Sequence, residues 1–110
     1  YQDAMGLMRA EYRRALTLED VARRIATSPR QLQRAFEEAG APPFAQCLTS
    51  VRMERAAELL RETDWPVIDV ATAVGYSRHS AFTKAFRRRH GVAPSVMRGR
   101  RLGDLPPLAP

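Results

Sequence analysis

The chain has 110 residues, 45% of them apolar and 27% charged, with a net charge of +6 and a sequence pI near 10.7. That apolar content supports a real core in one domain, or in two very small ones sharing a frame, and excludes wholesale disorder. No apolar run approaches the ~20 residues that span a bilayer, no signal-peptide pattern opens the chain, and one cysteine, Cys47, makes no internal disulfide.

Prolines and glycines cut the sequence into helix-length pieces, and β-branched alternation is nearly absent. Residues 4–14 predict a short amphipathic helix with Leu7, Met8 and Tyr12 on or near its apolar side. Thr17 to Asp20 then forms a capping pattern, a hydroxyl followed three residues later by an acid. A second helix is expected to about Ala26, with Leu18, Val21, Ala22 and Ile25 spaced along one face. Ser28-Pro29-Arg30-Gln31 is the clearest start signal: serine at the N-cap, proline at the first helical position and glutamine at the third. The third helix should run to Ala39 and stop at Gly40.

Pro42 and Pro43 open a long fourth helix to about Glu62, supported by Glu54, Arg55, Glu58 and Arg61 at i+3 and i+4. At ~1.5 Å per residue, about eighteen residues give roughly 27 Å, a stiff spacer. A fifth helix is expected over 66–74, a turn at Gly75-Tyr76, and a sixth helix capped by Ser77 and ended by Gly91. Pro94 starts a last short helix through about Arg100, and the proline-rich tail LGDLPPLAP is expected to fray. The resulting organisation is residues 1–43, a linker helix over 44–62, residues 63–101, and a flexible tail at 102–110.

The two halves repeat each other. Val21, Ala22, Ile25, Ala26 and Ser28 recur forty-nine positions later as Val70, Ala71, Val74, Gly75 and Ser77. Leu32 and Phe36 recur fifty later as Phe82 and Phe86, and Gly40 and Pro43 fifty-one later as Gly91 and Pro94. Each unit is a helix, a turn and a second helix with a serine at its start, the helix-turn-helix arrangement. At ~100° per residue, Leu32 and Phe36 turn inward and leave Arg30, Gln33, Arg34 and Glu37 outward. Phe82 and Phe86 do the same for Ser80, Thr83, Lys84 and Arg87, with His79 flanking that face.

Charge follows the same division. Residues 1–76 hold ten arginines and eleven acids, a net of −1, whereas 77–101 hold seven arginines and Lys84 with no acid, a net of +8. A surplus gathered in one quarter of the chain fits a polyanion-binding surface. Arginine forks match guanine, a glutamine amide matches adenine, and serine or lysine reaches base edges or phosphate. Helix-start amides beside Ser28 and Ser77 suit phosphate, as do Arg78, Thr83, Arg87 and Arg88. A solvated polar side chain explains any one of these residues alone; it does not explain the set placed twice.

SPRQLQRAF at 28–36, RMERAAELL at 52–60 and IDVATAVGYSRHSAFTKAFRRRHGVAP at 68–94 resemble the DNA-binding region of the AraC/XylS family of bacterial transcription regulators. The resemblance covers about residues 4–100. It implies an all-α fold of about seven helices, homeodomain-like, with two helix-turn-helix subdomains joined by a long helix. It further implies sequence-specific binding to an asymmetric double-stranded DNA operator, with two recognition helices in adjacent major-groove segments. Because those segments recur every ~34 Å, the duplex is expected to bend.

Carried over by position, the base-reading candidates are Arg30, Gln33 and Arg34, then His79, Ser80 and Lys84. The resemblance also implies RNA polymerase contacts, a cytoplasmic location at the nucleoid, no cofactor, and an effector-binding or dimerisation domain beyond this chain. A first residue other than methionine fits a piece of a longer protein. Pro42 and Ala93 depart from the family's usual Ser or Thr, and Met97 stands where an aromatic is usual.

Two other classes compete. Catalysis finds no support, since His79 and His90 have no orienting acid or cysteine partner in the sequence, no metal spacing exists, and there is no Gly-rich phosphate loop. The alternative is a helical protein-interaction module whose basic face meets an acidic partner. Bidentate-capable side chains cluster in the first unit and basic charge in the second. The first is therefore expected to supply more base discrimination and the second more phosphate attraction.

Overall fold

The computed structural model describes residues 1–99. Arg100, Arg101 and the tail expected to fray at 102–110 lie outside the described residues. Seven helices and no strand are present among those described: α1 (Gln2–Glu11), α2 (Leu18–Arg24), α3 (Pro29–Glu38), α4 (Phe44–Glu62), α5 (Val67–Ala73), α6 (His79–His90) and α7 (Pro94–Gly99). This is the all-α architecture the sequence implies. The chain forms two compact units, one from Tyr1 to Arg52 and one from Met53 onward, so the division falls inside α4.

In the first unit, α1 begins and ends earlier than residues 4–14. The chain just past its end is held by a distant side chain: Arg52 donates from Nε to the Tyr12 carbonyl and from Nη2 to the Arg14 carbonyl, both at 2.8 Å. Tyr12 is the C-cap of α1, and the Arg14 carbonyl also accepts from the Leu16 amide at 2.8 Å, so one guanidinium on α4 braces the segment that leaves the helix. Glu11, at the same helix end, pairs with Arg24 of α2 at 2.6 Å and Arg14 at 3.3 Å. Hydrogen bonding from Arg24 holds the Glu11 carboxyl below its usual range.

The α2 start is as expected, with the Asp20 amide donating to Thr17 Oγ1 and the Thr17 amide to Asp20 Oδ2. Its end is not. The helix stops at Arg24, and Ala26 takes the left-handed conformation at φ +59° while the Thr27 amide reaches the Ala22 carbonyl at 2.9 Å. That is a helix-closing turn normally given to glycine. Met8, Val21, Ala22, Leu32 and Phe36 fill the core beneath, with Leu48 from α4. Cys47 is buried in the same cluster as a small apolar residue, and desolvation raises its thiol pKa.

The second unit repeats this plan. Val70, Ala71 and Val74, Phe82 and Phe86, and Met53, Ala56 and Leu60 of α4 are all 2% exposed or less and make up its buried interior. The turn after α5 closes as its counterpart does, with the Tyr76 amide on the Ala71 carbonyl at 2.9 Å, but here glycine, Gly75 at φ +97°, stands at the left-handed position. Tyr76 lays its ring edge-on to Phe82 at 5.7 Å, which explains the aromatic after the glycine. Gly91 ends α6 in the left-handed conformation, as the sequence indicates.

Candidate nucleic-acid interface

The exposed face of α3 is built from its start. Ser28 Oγ accepts from the Gln31 amide at 3.1 Å, and Gln31 Oε1 accepts from the Ser28 amide at 3.4 Å and from Thr27 Oγ1 at 2.9 Å. This reciprocal cap, worth about 1 kcal/mol, fixes where the helix begins and occupies Gln31. Leu32 and Phe36 are buried, so Arg30, Gln33, Arg34 and Glu37 stand in solvent along the opposite side. No ion pair engages Arg30 or Arg34 among the described residues. A guanidinium left free in this way keeps its planar fork for an outside partner.

The α6 face is reached by the same rule and a different start. Ser77 does not cap this helix. Arg78 is the N-cap residue, with no side-chain hydrogen bond, and His79 is the first helical residue. The reason lies in the repeat, because the turn between the paired helices is one residue longer in the second unit. Ser28 and Ser77 are forty-nine apart, but Pro29 and His79, the first helical residues, are fifty apart. The inserted residue therefore takes the capping position, and the first-turn amides of α6 receive no side chain. Beyond them His79, Ser80, Thr83, Lys84 and Arg87 line one shallow concavity. All are exposed except Thr83, which is half-buried.

The basic surplus is smaller in space than along the chain. Arg89 pairs with Glu54 of α4 at 2.8 Å, so the acid missing from residues 77–101 arrives from another helix, and Glu54 is not spent on α4 itself. Arg98 donates to the Leu60 and Thr63 carbonyls, each at 3.4 Å, and thereby closes the end of α4. His90 lies half-buried, its Nε2 3.0 Å from the Met53 carbonyl and its ring 4.5 Å from that of Phe86, a packing role. Arg78, Lys84, Arg87 and Arg88 remain exposed and outside any ion pair among the described residues.

A family model described as a helix-turn-helix domain matches residues 21–100. The transcriptional regulator ArgR of Pseudomonas aeruginosa is 31% identical over 91% of this chain, which spans 30% of that relative's length. Among solved structures, the C-terminal domain of AraT, a response regulator from Geobacillus stearothermophilus, shares 37% identity at a TM-score of 0.83, covering 92% of this chain and 84% of that one. A Chromobacterium violaceum transcriptional regulator described by its AraC-type DNA-binding domain is similar at a TM-score of 0.87 and 27% identity, over 91% and 89% of the two chains.

Proposed function

This chain belongs to the AraC-type helix-turn-helix domain family, and from that premise we propose that it is the DNA-binding part of a bacterial transcription regulator. The second helix of each unit enters a major-groove segment of one asymmetric operator. Arg30, Gln33 and Arg34 of α3 and His79, Ser80 and Lys84 of α6 read base edges. Ser28, Ser77, Arg78, Thr83, Arg87 and Arg88 hold phosphates. Residues 1–43 and 63–101 act as the two reading subdomains and 44–62 as their linker.

One observation carries this reading. Each unit buries two large apolar residues of its second helix and leaves that helix's opposite side lined with unpaired donors of the types that match base edges and phosphate. The relatives are several times longer, so an effector or dimerisation domain, RNA polymerase contacts and a place at the nucleoid belong to the whole protein in this proposal. No described helix is long and apolar enough to cross a membrane. We assign the domain no catalytic chemistry.

A protein-interaction module with a basic face is not favoured by the comparisons. A gel shift at ~150 mM salt, comparing random DNA with sites chosen from a random pool, separates the two readings. Selected sites should bind at least ~10³-fold more tightly than random DNA. Equal weak binding to both would sink the proposal.

A further inference from the structure

Beside the reading face of α3, the first unit contains a half-open cleft of about 440 Å³. Its walls come from the start of α2, the outer side of α3 and the corner leading into α4. Leu18, Pro43 and Phe44 supply apolar surface with buried Phe36 behind them, and Gln33 and Glu37 supply the polar groups. The volume lies within the range of small-molecule sites, and an apolar wall with a few convergent polar groups is their usual composition.

Two features fix the charge such a site prefers. Glu37 is exposed and takes part in no ion pair among the described residues, although the chain is strongly basic. The apolar wall carries the ring of half-buried Phe44, which is set edge to face against buried Phe36 with centroids 6.1 Å apart. A carboxylate and an aromatic ring both attract a cation, and the Phe44 ring and Leu18 also accept a flat apolar body. The start of α4, at Phe44 and Ala45, offers an anion only the partial charge of a helix end, which the full charge of Glu37 outweighs.

We infer that this cleft binds an aromatic amine, its ring system against Phe44 and Leu18 and its ammonium at Glu37. Gln33 lines the same cleft and stands among the proposed base readers, so an occupied cleft opposes DNA binding by α3. That second statement rests on the DNA-binding reading; the first does not.

The test uses three probes of one shape: tryptamine, its uncharged analogue tryptophol, and the anion indole-3-propionate. Each is titrated into the DNA-free protein and followed by amide NMR shifts. Tryptamine should saturate shifts at Leu18, Gln33, Glu37 and Phe44 and bind about tenfold tighter than tryptophol, with the anion weakest. Glu37→Gln, an exposed and near-isosteric change, should erase that preference while leaving tryptophol unaffected. Equal affinities, tightest binding by the anion, shifts centred elsewhere, or titrations still unsaturated at about 10 mM would each overturn the site. In a second arm, tryptamine should weaken binding to a selected operator severalfold once the cleft is filled, with the midpoint of that effect about tenfold higher in Glu37→Gln than in the parent protein. An unchanged operator affinity with the cleft occupied overturns the coupling alone, whereas absence of any selectable operator counts against the DNA reading and leaves the first arm standing.

Discussion

The two helix-turn-helix units reach one geometry through different chemistry. In the first, a non-glycine residue, Ala26, holds the left-handed turn, and a reciprocal cap of Ser28 and Gln31 starts the reading helix. In the second, Gly75 makes that turn without strain, and the reading helix starts at an N-cap, Arg78, whose side chain bonds nothing. The first spends side chains on defining its helix and shows arginine and glutamine beside Glu37 and Glu38. The second leaves amides open among arginines. The buried side and the hydrogen bond that closes the turn are common to both units, while the exposed side and the helix starts differ. The physical constraint therefore sits in the core, and the recognition chemistry is free to differ.

The shared core is where the largest effects should lie. Phe82 and Phe86 are wholly buried and Phe36 nearly so. Phe82→Ala should cost about 3–5 kcal/mol, and Phe36→Ala a similar amount, measured by denaturant unfolding. A cost below about 1 kcal/mol at either position would break the equivalence of the two cores.

Next come the exposed faces, where the units should differ. Arg34→Ala should cost about 1–3 kcal/mol on a selected site, little on random DNA, and relax preference at one base position. Arg87→Ala with Arg88→Ala should weaken both DNAs alike and lower the salt slope by about one per residue removed. Competition binding over a salt series reads both, and matching effects from the two sets would erase the proposed division of labour.

Helix starts give a sharper, smaller contrast. Ser28→Ala should lose about 1 kcal/mol of stability, whereas Ser77→Ala should stay within about 0.5 kcal/mol, because only the first serine caps. Smaller again, Ala26→Gly should gain somewhat under about 1 kcal/mol by relieving the left-handed alanine, and Gly75→Ala should lose about 1. Melting temperatures of the four variants decide both pairs.

Acid titration separates the units as well. Glu11 and Asp20, both in the first, have carboxyl pKa values lowered chiefly by hydrogen bonds, from Arg24 and Thr17 respectively. Such groups stabilise the folded state above their unfolded pKa, and that contribution fades as pH falls below about 4.5 for Glu11 and about 3.8 for Asp20, through the lower folded values. Glu11→Gln should flatten stability over that acid range. An unaltered acid profile would remove Glu11 from the account.

Much of this was legible because it is local. Capping at Thr17 and Ser28, the stop at Gly91, and the buried spacing of Leu32, Phe36, Phe82 and Phe86 all lie within a few residues of their cause. What sequence reasoning missed acts at a distance or against type. Arg52 braces the segment after α1 from about forty residues away, and Glu54 neutralises Arg89 from another helix, so neither shows in a periodicity or a charge run. Ala26 gives no local sign of a left-handed turn, although its alignment with Gly75 in the repeat held that signal. The displaced cap at Arg78 was visible too, as the step from forty-nine to fifty between Ser77 and Phe82. Exposure of Arg30, Gln33, Arg34, His79, Ser80 and Lys84 followed from helical spacing, while the bases they would meet do not follow from any feature of this chain.

Selection of binding sites from a random duplex pool tests the central claim most directly. Two short blocks of base preference, about one helical turn apart, should emerge, with Arg34→Ala degrading one block and Lys84→Ala the other. A pool that yields no preferred sequence, or a single block indifferent to both substitutions, would contradict it.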